Sequence, residues 1–76
     1  MTDKQYLKLV GKRIKELRKS KSIAQNDFAY SCDFEPPSLA RIEAGNTNPT
    51  LLTLRKIAKE LNISVIDLLN INEEDV

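Results

Sequence analysis

Histidine and tryptophan are absent from this 76-residue chain, cysteine occurs once, glycine twice, and aromatic residues make up 5%. Each shortage excludes something. Without histidine, and without cysteines or carboxylates at metal-ligand spacing, neither a metal nor a cofactor is expected. The lone Cys32 cannot close an internal disulfide, which fits a reducing compartment. Its expected role is that of a small, half-buried apolar residue, with redox sensing as the alternative. No glycine-rich phosphate loop is present and no nucleophile has a base beside it, so the chain is not expected to be an enzyme. The apolar run from Tyr6 to Val10 is broken by Lys8 and flanked by charge. The expectation is therefore a cytoplasmic protein with no membrane span and no cleavable leader. The length suits one domain with a small core, and the scarcity of aromatics and glycine favours helices over a β-sandwich.

What is present is charge, unevenly spread. The formal net charge is +1, yet residues 1 to 21 hold eight Lys or Arg against Asp3 and Glu16, whereas residues 22 to 76 hold four against nine acids. Such asymmetry is compatible with a nucleic-acid-facing surface; the plainer reading is a solvated face on the first helix.

The stretch from Ile23 to Gly45 organises the chain. Phe28 and Ala29, then Leu39 and Ile42, form two short helical stripes broken near Asp33, a residue type that tolerates left-handed backbone. Glu35-Pro36-Pro37 opens the second of these helices, since proline suits a first turn whose N–H groups lack intrahelical partners. Gly45 closes it as a left-handed cap. Two short helices joined by a tight turn make a helix-turn-helix, whose second helix fits the major groove of DNA. The same outline also describes an ordinary helical hairpin.

Around this unit the pattern predicts three more helices. Lys4 to Lys19 carries an inward stripe of Leu7, Val10, Ile14 and Leu17, with lysines on its outer face. The second helix spans about Gln25 to Ser31 behind Ala24, a weak cap. Thr50 caps a fourth helix with Leu51, Leu54, Ile57, Ala58 and Leu61 inward, ended by Asn62. Ser64 caps a fifth, with Asp67 at the capping-box position and Val65, Leu68 and Leu69 inward. Residues 71–76 are an acidic tail expected to fray. The fold class is thus all-α: five helices in a single domain spanning residues 1–76.

Over residues 6 to 70 the chain resembles the lambda-repressor-like, Xre/Cro-type DNA-binding domain. The carriers are GKRIKELRKSKSIAQNDFA, LARIEAGNTNPTLLTLRKIAKEL and NISVIDLL. The resemblance implies a compact five-helix domain, with the helix-turn-helix as helices 2 and 3, that binds double-stranded DNA. It also implies that Gln25 bonds a phosphate, in accord with the anion preference of a helix start, and that Asn46, Thr47 and Asn48 track the DNA backbone. Arg18 and Glu43 match positions that form an ion pair between the first and third helices.

The chain departs from that family's pattern in the turn and at the start of the third helix. Asp33 stands where glycine is usual, and Glu35 where Ser or Thr usually caps. Pro36 and Pro37 occupy positions that often read base edges, and neither can donate a hydrogen bond, which restricts them to apolar contact such as a thymine methyl. Glu35 is either a cap or an acceptor for a cytosine amine. Ser38 and Arg41, three residues apart, share one face and remain for base readout; a guanidinium pairs well with guanine O6 and N7, or else touches phosphate.

Two functions follow. One is a sequence-specific transcriptional regulator that binds a two-fold operator as a homodimer through Ile66, Leu69 and Ile71, apolar residues in excess of what the last helix can bury, and Leu52 on the outer side of the fourth helix. The alternative for those residues is a longer local core around the tail. The other function is a protein-interaction module, such as an antitoxin or partner-binding regulator, with weak DNA binding and a protein partner still to be identified.

Overall fold

The computed structural model describes residues 1–75; Val76, the last residue of the expected tail, lies outside them. Five α-helices follow one another: α1 (Asp3–Ser20), α2 (Gln25–Ser31), α3 (Pro36–Glu43), α4 (Leu51–Glu60) and α5 (Val65–Leu68), then a 3₁₀ turn at Glu73–Asp75. No helix among the described residues is long and apolar enough to cross a membrane.

Three of the helices start at a residue whose side chain provides for a free N–H group. Thr2 caps α1 through a reciprocal box, its hydroxyl accepting from the Gln5 N–H at 3.1 Å while its own N–H donates to Gln5 Oε1 at 2.8 Å. Thr50 caps α4 by accepting from Thr53, and Ser64 caps α5 by accepting from Asp67. Only that half of the expected α5 box is formed. Ala24 makes no side-chain cap bond on α2, as its methyl group requires.

The four longer helices end alike. The residue after each cap has positive φ: Ser22 (58°), Asp33 (59°), Gly45 (75°) and Asn62 (58°). In each case the next residue's N–H reaches back five residues, from Ile23 to Arg18, Phe34 to Ala29, Asn46 to Arg41 and Ile63 to Ala58, at 2.8–3.3 Å. This paired closure satisfies carbonyls that the helix leaves free. Asp33, Gly45 and Asn62 are legible from residue type, whereas Ser22 is not.

Packed inside are Val10, Ile14, Phe28, Ala29, Leu39, Ile42, Ile57, Leu61 and Leu68, with contributions from all five helices. One expectation changes. Leu51 does not join the stripe of α4; it is 68% exposed, because the buried face begins one turn later at Leu54. Within the tail Glu73–Asp75 form a 3₁₀ turn, and the Glu74 N–H donates to Asn72 Oδ1 at 3.0 Å.

A close backbone approach joins α1 to the end of α3. A Cβ at Gly11 would meet the carbonyl oxygen of Ile42 and lie 2.5 Å from that of Glu43. Gly11→Ala should therefore destabilise the domain by about 1–3 kcal/mol through forced separation of the two helices. Helix propensity alone would stabilise it by about 0.5–1 kcal/mol. Urea unfolding decides the sign, and an alanine variant at least as stable as wild type would contradict this packing.

Candidate nucleic-acid interface

The exposed face of the helix-turn-helix is built from the start of α2, the outer side of α3 and the loop that follows. Pro36 and Pro37 fill the first two positions of α3 and bring no N–H groups. The next N–H, that of Ser38, already donates to the Glu35 carbonyl at 2.9 Å. Nothing is left for a capping carboxylate, and the Glu35 side chain makes no cap bond. The capping role considered for Glu35 is thus corrected: it is the cap residue by backbone position only, and its carboxylate stands exposed.

Farther along α3, Ser38 and Arg41 lie on one face, with Arg41 Nη2 3.4 Å from Ser38 Oγ. They line a crevice with Thr47, Asn48, Thr50 and Thr53, so the α3–α4 loop stands beside the recognition helix. Asn46 and Asn48 are exposed and Thr47 is half-buried.

Behind this face is a buried polar network. Arg18 donates from Nε to Glu43 Oε2 at 2.8 Å and from Nη2 to Oε1 at 3.0 Å, while Nη1 donates to the Ile23 carbonyl at 2.6 Å. The paired side chains are only 6% and 2% exposed. Gln25 Nε2 also donates to Glu43 Oε1, at 3.0 Å. Thus α1, α2 and α3 meet at one carboxylate, and the α1–α2 connection is tied to it through Arg18. The Gln25 amide keeps its second N–H for an outside acceptor. The sequence points Gln25 to phosphate alone, because nothing local signals its bond to Glu43.

Arrangement and sequence pattern agree on a family: the helix-turn-helix family model matches residues 14–68. The chain belongs to the helix-turn-helix family. It is 33% identical over 67 residues to the HTH-type transcriptional regulator y4dJ of Sinorhizobium fredii, over 88% of this chain and 87% of that one. To the control protein C.BamHI of Bacillus amyloliquefaciens it is 35% identical over 63 residues, covering 82% and 78% of the two chains. The crystal structure of the restriction-modification controller protein C.AhdI from Aeromonas hydrophila matches with a TM-score of 0.79 at 29% identity, over 82% of this chain and 94% of that one.

Other residues of this helix-turn-helix chain fall away from its interface. Cys32 is buried, and burial, together with the nearby Glu60 and Asp33 carboxylates, pushes its thiol up to about 11. A thiol so protonated at neutral pH is a poor nucleophile, which fits its packing role. The four apolar residues expected at an interface divide. Leu52 and Ile66 are 67% and 83% exposed, whereas Leu69 and Ile71 are half-buried and packed against the core. The local-core alternative therefore describes Leu69 and Ile71: α5 ends after one turn, and the chain folds back so that Ile71 lines a crevice with Leu9 and Arg13 of α1. Arg13 Nη2 ties this corner by donating to the Asp67 carbonyl at 2.9 Å.

Removing one partner of a buried ion pair strands the other charge, at about 3–5 kcal/mol, whereas replacing both with apolar groups avoids that cost. Glu43→Ala should accordingly melt well below the Arg18→Met, Glu43→Leu double variant. Thermal denaturation of the three proteins tests this, and a Glu43→Ala melting temperature equal to wild type would show that the pair holds nothing in place.

Proposed function

We propose that this chain, a DNA-binding transcriptional regulator of the helix-turn-helix family, reads its operator through Ser38 and Arg41 and binds a two-fold site as a homodimer in the cytoplasm. The observation that carries this reading is the recognition helix itself. Its inner side is fixed by Glu43, and its exposed side presents a guanidinium and a hydroxyl within 3.4 Å of each other. Arg41 is the single cation of α3. Its guanidinium has the fork that meets guanine O6 and N7 with two parallel bonds, and Pro37 beside it offers apolar contact to a thymine methyl. Gln25, with one amide N–H still available, and the loop donors Asn46, Thr47 and Asn48 serve the phosphates.

Dimerisation rests on Leu52 and Ile66. Arg55 and Lys59 line one crevice with Leu52 and another with Val65 and Asp67, so the outer side of α4 and the start of α5 are neighbours. Large exposed apolar side chains on such a face mark an interaction surface. A two-fold dimer would set the recognition helices about 34 Å apart, one turn of DNA.

Two measurements test these assignments. Arg41→Ala should cost about 1–3 kcal/mol on the best site selected from a random pool and relax preference at one base pair, whereas Gln25→Ala should weaken all sequences alike. An unchanged ranking of sites in the Arg41 variant would remove its base-reading role. Sedimentation should show a dimer that Ile66→Asp dissociates; a wild-type monomer at high micromolar concentration would refute the dimer.

A further inference from the structure

We infer that Lys4 and Lys8 of α1 bind DNA phosphates, complete the DNA-binding surface and supply the larger part of its salt-dependent affinity, an inference that rests on the DNA-binding reading above. By sequence alone both belong to a solvated basic face, far from the helix-turn-helix. Tertiary structure brings them to its edge. Lys4 shares a crevice with Gly45, Asn46, Thr47 and Asn48, the loop that follows the recognition helix. Lys8 lies against the cap of that helix: a Cβ at Gly45 would come within 2.6 Å of Lys8 Cα and 2.7 Å of its Cγ. Gly45, with φ at +75°, leaves room for the backbone and stem of Lys8 to pack directly against it. The two lysines are four residues apart on α1, both exposed, and so stand one above the other on the same face of that helix. Among the described residues neither takes part in a salt bridge; the pairs present are Lys12 with Glu16 and Arg18 with Glu43.

The charge of the helix-turn-helix explains why these lysines matter. From the start of α2 to the end of the loop, the exposed acids are Asp27, Asp33 and Glu35, against the single exposed cation Arg41. Glu43 is neutralised by Arg18. Left to itself this surface would repel a polyanion, and its loop donors are uncharged. Counterion release requires cations near phosphates, and the fold sets Lys4 beside the Asn46–Asn48 loop and Lys8 against Gly45, where that loop begins. Lys15 lies seven residues beyond Lys8, about 10 Å farther along the helix axis and about one Debye length away at 0.1 M salt.

The test measures binding of the whole chain to a random-sequence duplex between about 50 and 200 mM salt. It compares wild type with Lys4→Gln, Lys8→Gln, their double variant, and Lys15→Gln as a control of equal charge change. Glutamine keeps helix propensity at exposed sites, and circular dichroism melts verify folding. Removing either lysine should lower the slope of log K against log salt by about 0.9 and weaken binding roughly eightfold at 0.1 M salt, so the double variant should lose about 1.8 in slope. Lys15→Gln should leave the slope unchanged. An unaltered slope in the double variant overturns the inference while wild-type binding stands, as does an equal loss in Lys15→Gln, which would reveal diffuse charge. Absence of any wild-type binding at the lowest salt overturns the DNA reading and this inference with it.

Discussion

The buried carboxylate of Glu43 is the point on which three helices depend. It accepts two hydrogen bonds from Arg18 and one from Gln25, while the remaining arm of the guanidinium goes to the Ile23 carbonyl. Burying two charges is expensive, and a pair of this kind adds little net stability over well-packed apolar groups. What it contributes is orientation, because a planar fork meeting a carboxylate with two parallel bonds fixes both angle and distance. Glu43 ends α3, Gln25 starts α2 and Arg18 lies near the end of α1, so a single bonded cluster sets the pose of the recognition helix against the rest of the domain.

Steric constraint acts alongside this polar one. Gly11 and Gly45 let the α1 backbone touch the end of α3, at Ile42 and Glu43 on one side and across Lys8 on the other. Four helix ends use the same left-handed closure, with Ser22, Asp33 and Asn62 accepting the modest strain that Gly45 avoids. Glycine is required at only one of them, since there a side chain would collide with Lys8. Three of these closures turn an apolar residue, Ile23, Phe34 or Ile63, back against the core. At the fourth the corresponding residue is Asn46, exposed, and the chain moves out into the loop beside the recognition helix. A repeated local device thus serves packing three times and presents a polar loop once.

The electrostatic character of the interface is divided between elements. Its reading helix is poor in donors at its start, because Pro36 and Pro37 have none and the free carboxylate of Glu35 adds negative charge. In the proposed reading, base recognition is therefore concentrated toward Ser38 and Arg41, one turn farther in. On the same proposal, attraction to the phosphates falls to cations outside the motif, so that specificity and affinity would reside on different helices, held in register by the Glu43 cluster.

Residue type and spacing are enough to specify the five helices, three of the four left-handed positions, the caps at Thr50 and Ser64, and the bond partners Arg18 and Glu43, the last through family resemblance. These are properties of short segments, where the 3.6-residue period and the needs of free N–H and carbonyl groups act locally. The same reasoning puts Leu51 inside and Ile71 on an outer patch, because a stripe tells which way a side chain faces on its own helix and not how far the neighbouring elements extend to cover it. For the same reason the bond from Gln25 to Glu43, the meeting of Gly11 with the end of α3, and the position of Lys4 beside the Asn46–Asn48 loop and of Lys8 against Gly45 were decided only by tertiary structure. Each depends on where two helices distant in sequence cross, and that crossing is set by the shapes of both surfaces at once.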